Sequence, residues 1–227
     1  MKHARRIRWP WIAATLCFLG VWCWSGSVRA DPVTELIDLS NKIQNETPGI
    51  GFQMWTEGEK TTYQVSDPVV FGFTADRDCY LAVINIGTSG QTTLLFPNKW
   101  HPDNKVENGK TYRIPPEGSD YAFKVMGPAG TERVKVIACV EPILGNVQSL
   151  QQELKTPVEQ SAGGGGTFLT MKNPGLVLKD IGFALNRTDP TKWATVDMEF
   201  PVVEAGAAPT PPGTAAPAQA PSPPAGS

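Results

Sequence analysis

Two cysteines are the residues of this chain with the clearest potential for covalent chemistry. Cys17 and Cys23 lie in a segment with the pattern of a removable signal, which leaves Cys79 and Cys139, each in a predicted strand. Two cysteines of one domain often pair in an oxidising compartment. Such a disulfide would stabilise the fold by roughly 4 kcal/mol in the chain-entropy model. The sequence does not fix the distance between the two Cα atoms, so two buried free thiols remain the alternative.

Acid–base and metal chemistry have little support in the sequence. His101 is the one histidine outside the signal segment and lies in a polar loop. A single histidine without a Cys-x-x-Cys pair does not make a zinc site, and a Ser-His-Asp triad would need this same residue. Asp76 and Asp78 form a weak candidate calcium site, since the full EF-hand pattern is absent. We therefore expect a protein that is not an enzyme and has no cofactor.

Aromatic residues are the better candidates for binding. Trp55 and Trp100 lie at predicted strand ends or loops, where an indole can stack on a sugar or a peptide. The alternative is that both cap the edge of the core. Together with their polar neighbours they give a set of candidate partner-binding residues, which comprises Trp55, Phe96, Asn98, Trp100, His101 and Asp103.

The first thirty residues have the order of a secretory signal. A basic start is followed by an apolar stretch from Trp9 to Trp24 and then by small residues ending in Val28-Arg29-Ala30. This order predicts cleavage after Ala30 and a periplasmic or secreted protein. The alternative is an uncleaved anchor, but the apolar stretch is slightly shorter than the roughly 20 residues that span a bilayer. We expect no transmembrane span after cleavage.

Charge narrows the choice of partners. The chain has 20 basic and 22 acidic residues, and residues 1–30 hold five of the basic and none of the acidic ones. The mature chain therefore has 15 basic and 22 acidic residues and a net charge of −7. A mildly acidic protein is a poor ligand for nucleic acid or for an anionic membrane surface, since both attract Lys and Arg.

Hydrophobic periodicity predicts a mostly β protein with one or two flanking helices. Helical spacing covers Pro32–Glu46 and Ile143–Lys155, and the intervening chain has period two or short apolar runs. Short strands with regular turn signals favour an antiparallel β-sandwich, immunoglobulin-like or similar. The predicted strands are Thr61–Val65, Val69–Ala75, Cys79–Ile86, Gln91–Phe96, Thr111–Ile114, Tyr121–Met126, Thr131–Glu141, Leu176–Leu185 and Trp193–Val203.

The chain divides into three parts by composition. Residues 1–30 are the signal, and residues 31–204 are expected to form a single sandwich domain with its core at 51–141. Within that domain, residues 156–166 read as a flexible linker and residues 176–203 as returning strands. Residues 205–227 are rich in Pro and Ala and lack charge, which predicts a disordered tail.

Several short motifs follow one another in a fixed order between Tyr63 and Val140, namely residues 65–69 (VSDPV), 76–81 (DRDCYL), 94–98 (LLFPN), 112–115 (YRIP) and Gly127, Pro128 and Gly130. In this order the motifs resemble the family called domain of unknown function 4384. The resemblance implies an exported, non-catalytic accessory module, of a kind also found beside kinases and caspase-like peptidases. It brings no catalytic residue to this chain.

The expected function is therefore that of an exported accessory module that binds another envelope protein. The expected surfaces are the loop Pro97–Asn108 and an exposed sheet edge, to which a partner can add a strand. The alternative is a binder of a small molecule or a cell-wall glycan through Trp55 and Trp100. A carboxylate-based hydrolase is the remote alternative.

Overall fold

A computed structural model describes residues 31–206 except for residues 59, 156–157 and 163–165. The predicted signal and the Pro/Ala tail from residue 207 lie outside this part of the chain. The described helices are α1 (Pro32–Asn41), α2 (Gln148–Lys155) and α3 (Pro174–Asn186), with 3₁₀ turns at Ile143–Asn146 and Pro190–Lys192. The described strands are β1 (Phe52–Thr56), β2 (Tyr63–Gln64), β3 (Pro68–Val69), β4 (Phe71–Ala75), β5 (Cys79–Ile86), β6 (Thr92–Phe96), β7 (Lys105–Val106), β8 (Thr111–Ile114), β9 (Phe123–Lys124), β10 (Gly130–Cys139), β11 (Val158–Ala162), β12 (Gly166–Thr170) and β13 (Trp193–Val203).

The strands form one large sheet and two small ones. The large sheet has the order β11-β12-β6-β5-β10-β13-β2, and β7 pairs with β5 beside it. The small sheets are β1-β4-β8 and β3-β9. Neighbouring strands are antiparallel except for β13 and β2, which are parallel. The predicted fold class, mostly β with a sandwich-like core and flanking helices, is confirmed.

Both faces of the large sheet are buried. Along β5, Leu81 and Val83 face a core shared with the small sheets, whereas Ala82 and Ile84 face a second core. Residues of α3 such as Ile181 belong to this second core, so helices cover that face. Strands buried on both sides consist of apolar runs rather than alternating sequences, which explains why Cys79–Ile86 was recognised with its observed bounds.

The strand predicted at Leu176–Leu185 is wrong, because this segment lies within helix α3. Its buried residues are Val177, Leu178, Ile181 and Leu185, a spacing that follows one face of a helix. Apolar residues on both sides of this stripe obscured the period, since Leu176 is 53% exposed and Phe183 is 61% exposed. The helix therefore packs one face on the sheet and leaves two large apolar side chains outside.

The linker predicted at residues 156–166 also needs correction. Strands β11 and β12 occupy most of this region and pair as an antiparallel hairpin. Strand β12 continues the large sheet through Leu169 and Thr170, which pair with Leu94 and Thr93 of β6. Residues 156–157 and 163–165 of the predicted linker lie outside the described residues.

The two predicted flanking helices are shorter than expected. Helix α1 ends at Asn41 rather than Glu46, and the chain beyond it is held by the sheet. There the buried Lys135 ammonium donates to the Ile43 carbonyl at 2.9 Å and to Asp197 at 2.8 Å. The helix predicted at Ile143–Lys155 is a 3₁₀ turn followed by α2, with the extended residue Val147 between them.

A buried carboxylate in α2 fixes the start of α3. The side chain of Glu153 accepts hydrogen bonds from the backbone N–H groups of Lys172 at 3.0 Å and Asn173 at 2.9 Å. Glu153 is only 6% exposed, so its carboxylate depends on these hydrogen bonds rather than on water. The carboxylate thus joins two helices of the layer that covers the large sheet.

We expect Glu153→Ala to lower the free energy of unfolding by about 1–3 kcal/mol, because it removes the charged acceptor of two backbone N–H groups at the start of α3. Urea denaturation followed by circular dichroism measures the change. Glu35→Ala is the control, because Glu35 is exposed and its ion pair with Lys179 at 3.6 Å is worth about 0–1 kcal/mol. Equal losses in the two variants would contradict the role of Glu153.

Candidate functional site

The two cysteines lie on opposite faces of the large sheet. Cys139 on β10 pairs in register with Tyr80, the residue next to Cys79 on β5. Because side chains alternate along a strand, Cys79 enters the core between the sheets and Cys139 enters the core beneath the helices. Both thiols are free and buried. The predicted Cys79–Cys139 disulfide is therefore not formed, and the alternative of two buried thiols describes the structure.

Burial also makes both thiols poor nucleophiles. It raises the pKa of Cys79 to about 11, with a smaller contribution from Cys139 nearby. Burial likewise raises the pKa of Cys139. Because the thiolate is the reactive form, neither residue is suited to covalent catalysis at neutral pH.

We expect both thiols to react with iodoacetamide only when the protein is unfolded, and to do so without reductant. Intact mass spectrometry of protein alkylated in guanidinium at pH 8 should show two adducts, whereas native protein should show almost none. If the adducts appeared only after treatment with a reductant, a disulfide would be present and the register described here would be incorrect.

The aspartates of the candidate calcium site hold a turn in place. Asp76 accepts a hydrogen bond from the Gly51 amide at 2.8 Å, and Asp78 accepts one from the Asn108 amide at 2.9 Å. In the described parts of residues 31–206, no group of three or more His, Cys, Asp or Glu side chains has an arrangement that could hold a metal ion. The two carboxylates thus tie the turn between β4 and β5 to the loops on either side.

Asn98 organises the start of the predicted binding loop. Its side-chain oxygen accepts from the backbone amides of Trp100 at 3.0 Å and His101 at 2.9 Å. Its amide group donates to the Leu95 carbonyl at 2.8 Å. These bonds curl the chain back towards the end of β6, so the loop has a defined shape.

The aromatic residue of that loop packs inwards. The Trp100 ring stacks on Tyr121 with centroids 4.4 Å apart, and it lies 5.2 Å from Phe168. The Tyr121 hydroxyl lies 3.2 Å from Nδ1 of His101. Trp100 therefore caps the edge of the core. Sequence reasoning missed Tyr121, because its place beside the loop depends on contacts between distant segments.

The remaining predicted residues do not form one site. Phe96 is a core residue that is 4% exposed. Asp103 is exposed, and its carboxylate accepts from the Lys105 amide at 3.0 Å. Trp55 belongs to the small sheet β1-β4-β8, apart from the loop. The structure thus brings Asn98, Trp100 and His101 together and leaves the other three elsewhere.

Trp55 lies on the outer face of the sheet β1-β4-β8. Its partner in register is Gly72 on β4, which in turn pairs with Arg113 on β8. A Cβ atom at Gly72 would overlap the indole ring, so the absence of a side chain lets the ring lie on the sheet. Trp55 remains 38% exposed. Next to the indole, Arg113 forms a 2.8 Å ion pair with Glu57.

A shallow groove continues this outer face. Gln53 pairs with Thr74 two residues from the Trp55 position, and both side chains project to the same side as Trp55. The groove has a volume of about 520 Å³ and ends at the loop before β8; its lining consists of Gly51, Phe52, Gln53, Thr74, Ala75, Asp76, Asn108 and Gly109. An indole beside an open groove with both polar and apolar lining is a surface suited to binding.

The edge of β1 carries unpaired backbone groups. The backbone amide of Asp76 donates to the Gly51 carbonyl, and the backbone amide of Glu57 donates to the Val70 carbonyl, each at 2.9 Å. These bonds lie just beyond both ends of β1. Because every second residue of an antiparallel strand bonds to the neighbouring strand, the backbone groups of residues 53 and 55 face β4. The N–H and C=O groups of Phe52, Met54 and Thr56 point the other way, and no group of the described residues pairs with them.

This edge also lacks the sequence features that usually protect a sheet edge, although strand β13 packs close to β1. Strand β1 reads Phe-Gln-Met-Trp-Thr and contains no charge and no proline. Charged residues, prolines and very short strands are the usual means of preventing unwanted pairing. Five other strands at the edges of the described sheets have at least one of these features, namely Arg113 in β8, Lys105 in β7, Pro68 in β3, Lys124 in β9, and a length of two residues in β2.

Comparison with known proteins agrees with the motifs. None of the curated proteins matches the chain. Within the part of the chain that the structure describes, no helix has the length and apolar character needed to cross a membrane. The family model that matches spans the chain from β2 to the end of β10 and so leaves out β1 and the helical layer. The resemblance is confirmed: residues 62–142 are similar to the family described as Domain of unknown function (DUF4384).

Proposed function

We propose that this chain is an exported, non-catalytic accessory module of the bacterial envelope, which binds an extended segment of another protein along β1. The observation that carries the proposal is the unprotected edge of β1, where three residues present unpaired backbone groups. An added strand would satisfy these groups with main-chain hydrogen bonds, as in other proteins that bind peptides by extending a sheet.

The surroundings of β1 supply the means of selecting a partner. In an added strand, alternate side chains would point to the outer face, where they meet Trp55 or the groove beside Gln53. Aromatic anchors carry much of the binding energy at protein interfaces. The partner segment is therefore expected to be extended, with an apolar or aromatic residue placed to contact the indole.

Location in the envelope rests on the sequence of residues 1–30 and on the resemblance of residues 62–142. The basic, apolar and small-residue order supports export and cleavage after Ala30. The absence of catalysis is supported by the high pKa of Cys79, because a buried thiol is a poor nucleophile.

A cell-wall glycan is the second candidate ligand. The exposed face of Trp55 beside a groove with Gln53 and Thr74 favours it, since sugars stack on aromatic rings and bond to polar side chains. Trp100 supports it less, because that ring already stacks on Tyr121. Saturable binding to isolated peptidoglycan that is lost in Trp55→Ala would favour this candidate over a protein partner.

Photo-crosslinking in the cell tests the proposed surface directly. A photoreactive amino acid replaces Gln53 in β1, Asp103 in the loop, or Leu176 on the helical side of a tagged protein. We expect a reproducible protein adduct from position 53 and none from position 176. An adduct from position 103 alone would move the interface to the loop, and no adduct from any position would contradict a protein partner.

Proline substitution tests the contribution of the edge. Met54→Pro removes an outward N–H that bonds to nothing in the described chain, so we expect the position-53 adduct to fall at least tenfold. Thr111→Pro is the matched control. Its N–H points outward from β8, because Tyr112 and Ile114 are the residues bonded to β4. Circular dichroism checks folding of both variants, and an equal loss of adduct would overturn the assignment to β1.

A further inference from the structure

A buried acid lies in the core between the sheets, away from β1. Glu132 is only 2% exposed, although it points to the same side of β10 as the core residues Val134 and Val136. Among the described residues, the ion pairs do not include Glu132. Burial raises the pKa of its carboxyl group, and the hydrogen bond from Asn85 and the nearby backbone amide of Thr88, which lies outside hydrogen-bond geometry, oppose that effect.

Two oxygen atoms at this position lack a donor. Asn85 on β5 donates its amide to Oε2 of Glu132 at 2.8 Å. The other carboxylate oxygen, Oε1, and the side-chain oxygen of Asn85 are both buried and have no hydrogen-bond partner in the described chain. A buried acceptor without a donor costs about 1–3 kcal/mol. The pair is therefore prepared for a ligand that brings donors.

The pair lies beside a narrow cleft next to β9. Two adjoining cavities, of about 50 and 40 Å³, share a lining that includes Asn85, Leu95, Phe123 and Lys124. Glu132 lines the smaller cavity, and Thr93, Phe168 and Thr170 line the larger one. Because a water-sized sphere needs about 10–15 Å³, the cleft has room for a few non-hydrogen atoms.

The chemistry of the lining selects among small ligands. Two acceptor oxygens, one of them a carboxylate oxygen, suit an ammonium group, which has three donors and no acceptor. The rings of Phe123 and Phe168, with centroids 5.0 Å apart, suit an aliphatic stem and the cation itself. Lys124 also lines both cavities.

We propose that this cleft binds a single protonated primary amine on a short aliphatic stem, with its ammonium group donating to Glu132 Oε1 and Asn85 Oδ1. The ligand is either a free alkylamine or the side chain of a lysine in another protein, since the two share this chemistry. The site lies on the large sheet and does not involve β1. It therefore stands or falls independently of strand addition.

Titration of the ¹⁵N-labelled protein, residues 31–227, with n-butylammonium chloride tests the proposal by NMR. We expect saturable shifts of the Asn85 side-chain amide and of the Phe123 and Lys124 backbone amides. n-Butanol has the same stem without the charge, and at least tenfold weaker binding is expected for it. Sodium chloride at equal concentration controls for ionic strength. Equal binding of n-butanol, or no saturable shift with any probe, would overturn the proposal and leave the cleft to water.

A matched pair of variants tests the role of the carboxylate. Glu132→Gln keeps the size of the side chain and removes its charge, so binding of n-butylammonium should weaken at least tenfold. Glu199→Gln removes an exposed carboxylate on β13 and should leave binding unchanged. Equal effects of the two variants would contradict the site. The comparison of n-butylammonium with n-butanol on the unchanged protein holds even if Glu132→Gln folds poorly.

Nα-acetyl-lysine N-methylamide distinguishes the two sources of the amine. Binding comparable to that of n-butylammonium supports a lysine side chain as the natural ligand. Binding of n-butylammonium alone supports a free amine, because the backbone of the lysine derivative would then clash with the walls of the cleft.

Discussion

Burial of the large sheet on both faces is the constraint on which the rest of the structure depends. Strands β5 and β10 have apolar side chains on both sides, so each face needs a cover. The small sheets cover one face and the helices cover the other. Polar groups in these strands must then find partners inside the protein or remain unsatisfied. Lys135 finds partners in Ile43 and Asp197. Glu132 leaves one carboxylate oxygen without a partner in the described chain.

The same constraint explains how much of the fold could be predicted from the sequence. Cys79–Ile86, Thr111–Ile114 and Trp193–Val203 were predicted with the bounds that the structure has, because an apolar run or a period of two is a local property. Helix α3 was missed because Leu176 and Phe183 are apolar yet exposed, which hides the helical stripe. The β11–β12 hairpin was missed because its pairing with β6 is a distant contact that composition does not encode.

The candidate site was less predictable than the fold. Trp55 is exposed because it lies on the outer face of an edge strand. The sequence had already indicated an aromatic residue at a strand end or in a loop. What makes the surface distinctive is the pairing of Trp55 with Gly72, and register of this kind is fixed only when the sheet assembles. For the same reason Trp100 was a plausible ligand contact in the sequence, although in the fold it caps the core against Tyr121. The Asn85–Glu132 pair joins residues 47 positions apart and has no motif that reveals it.

The positions of the two free thiols give this protein a built-in pair of reporters. Cys79 belongs to the layer between the sheets, and Cys139 belongs to the layer beneath the helices. A fluctuation that lifts the helices would expose one sulfur atom and leave the other covered, whereas parting of the sheets would do the reverse. The rates at which the two thiols are labelled in native protein therefore resolve whether the layers detach separately or the whole domain opens as one unit.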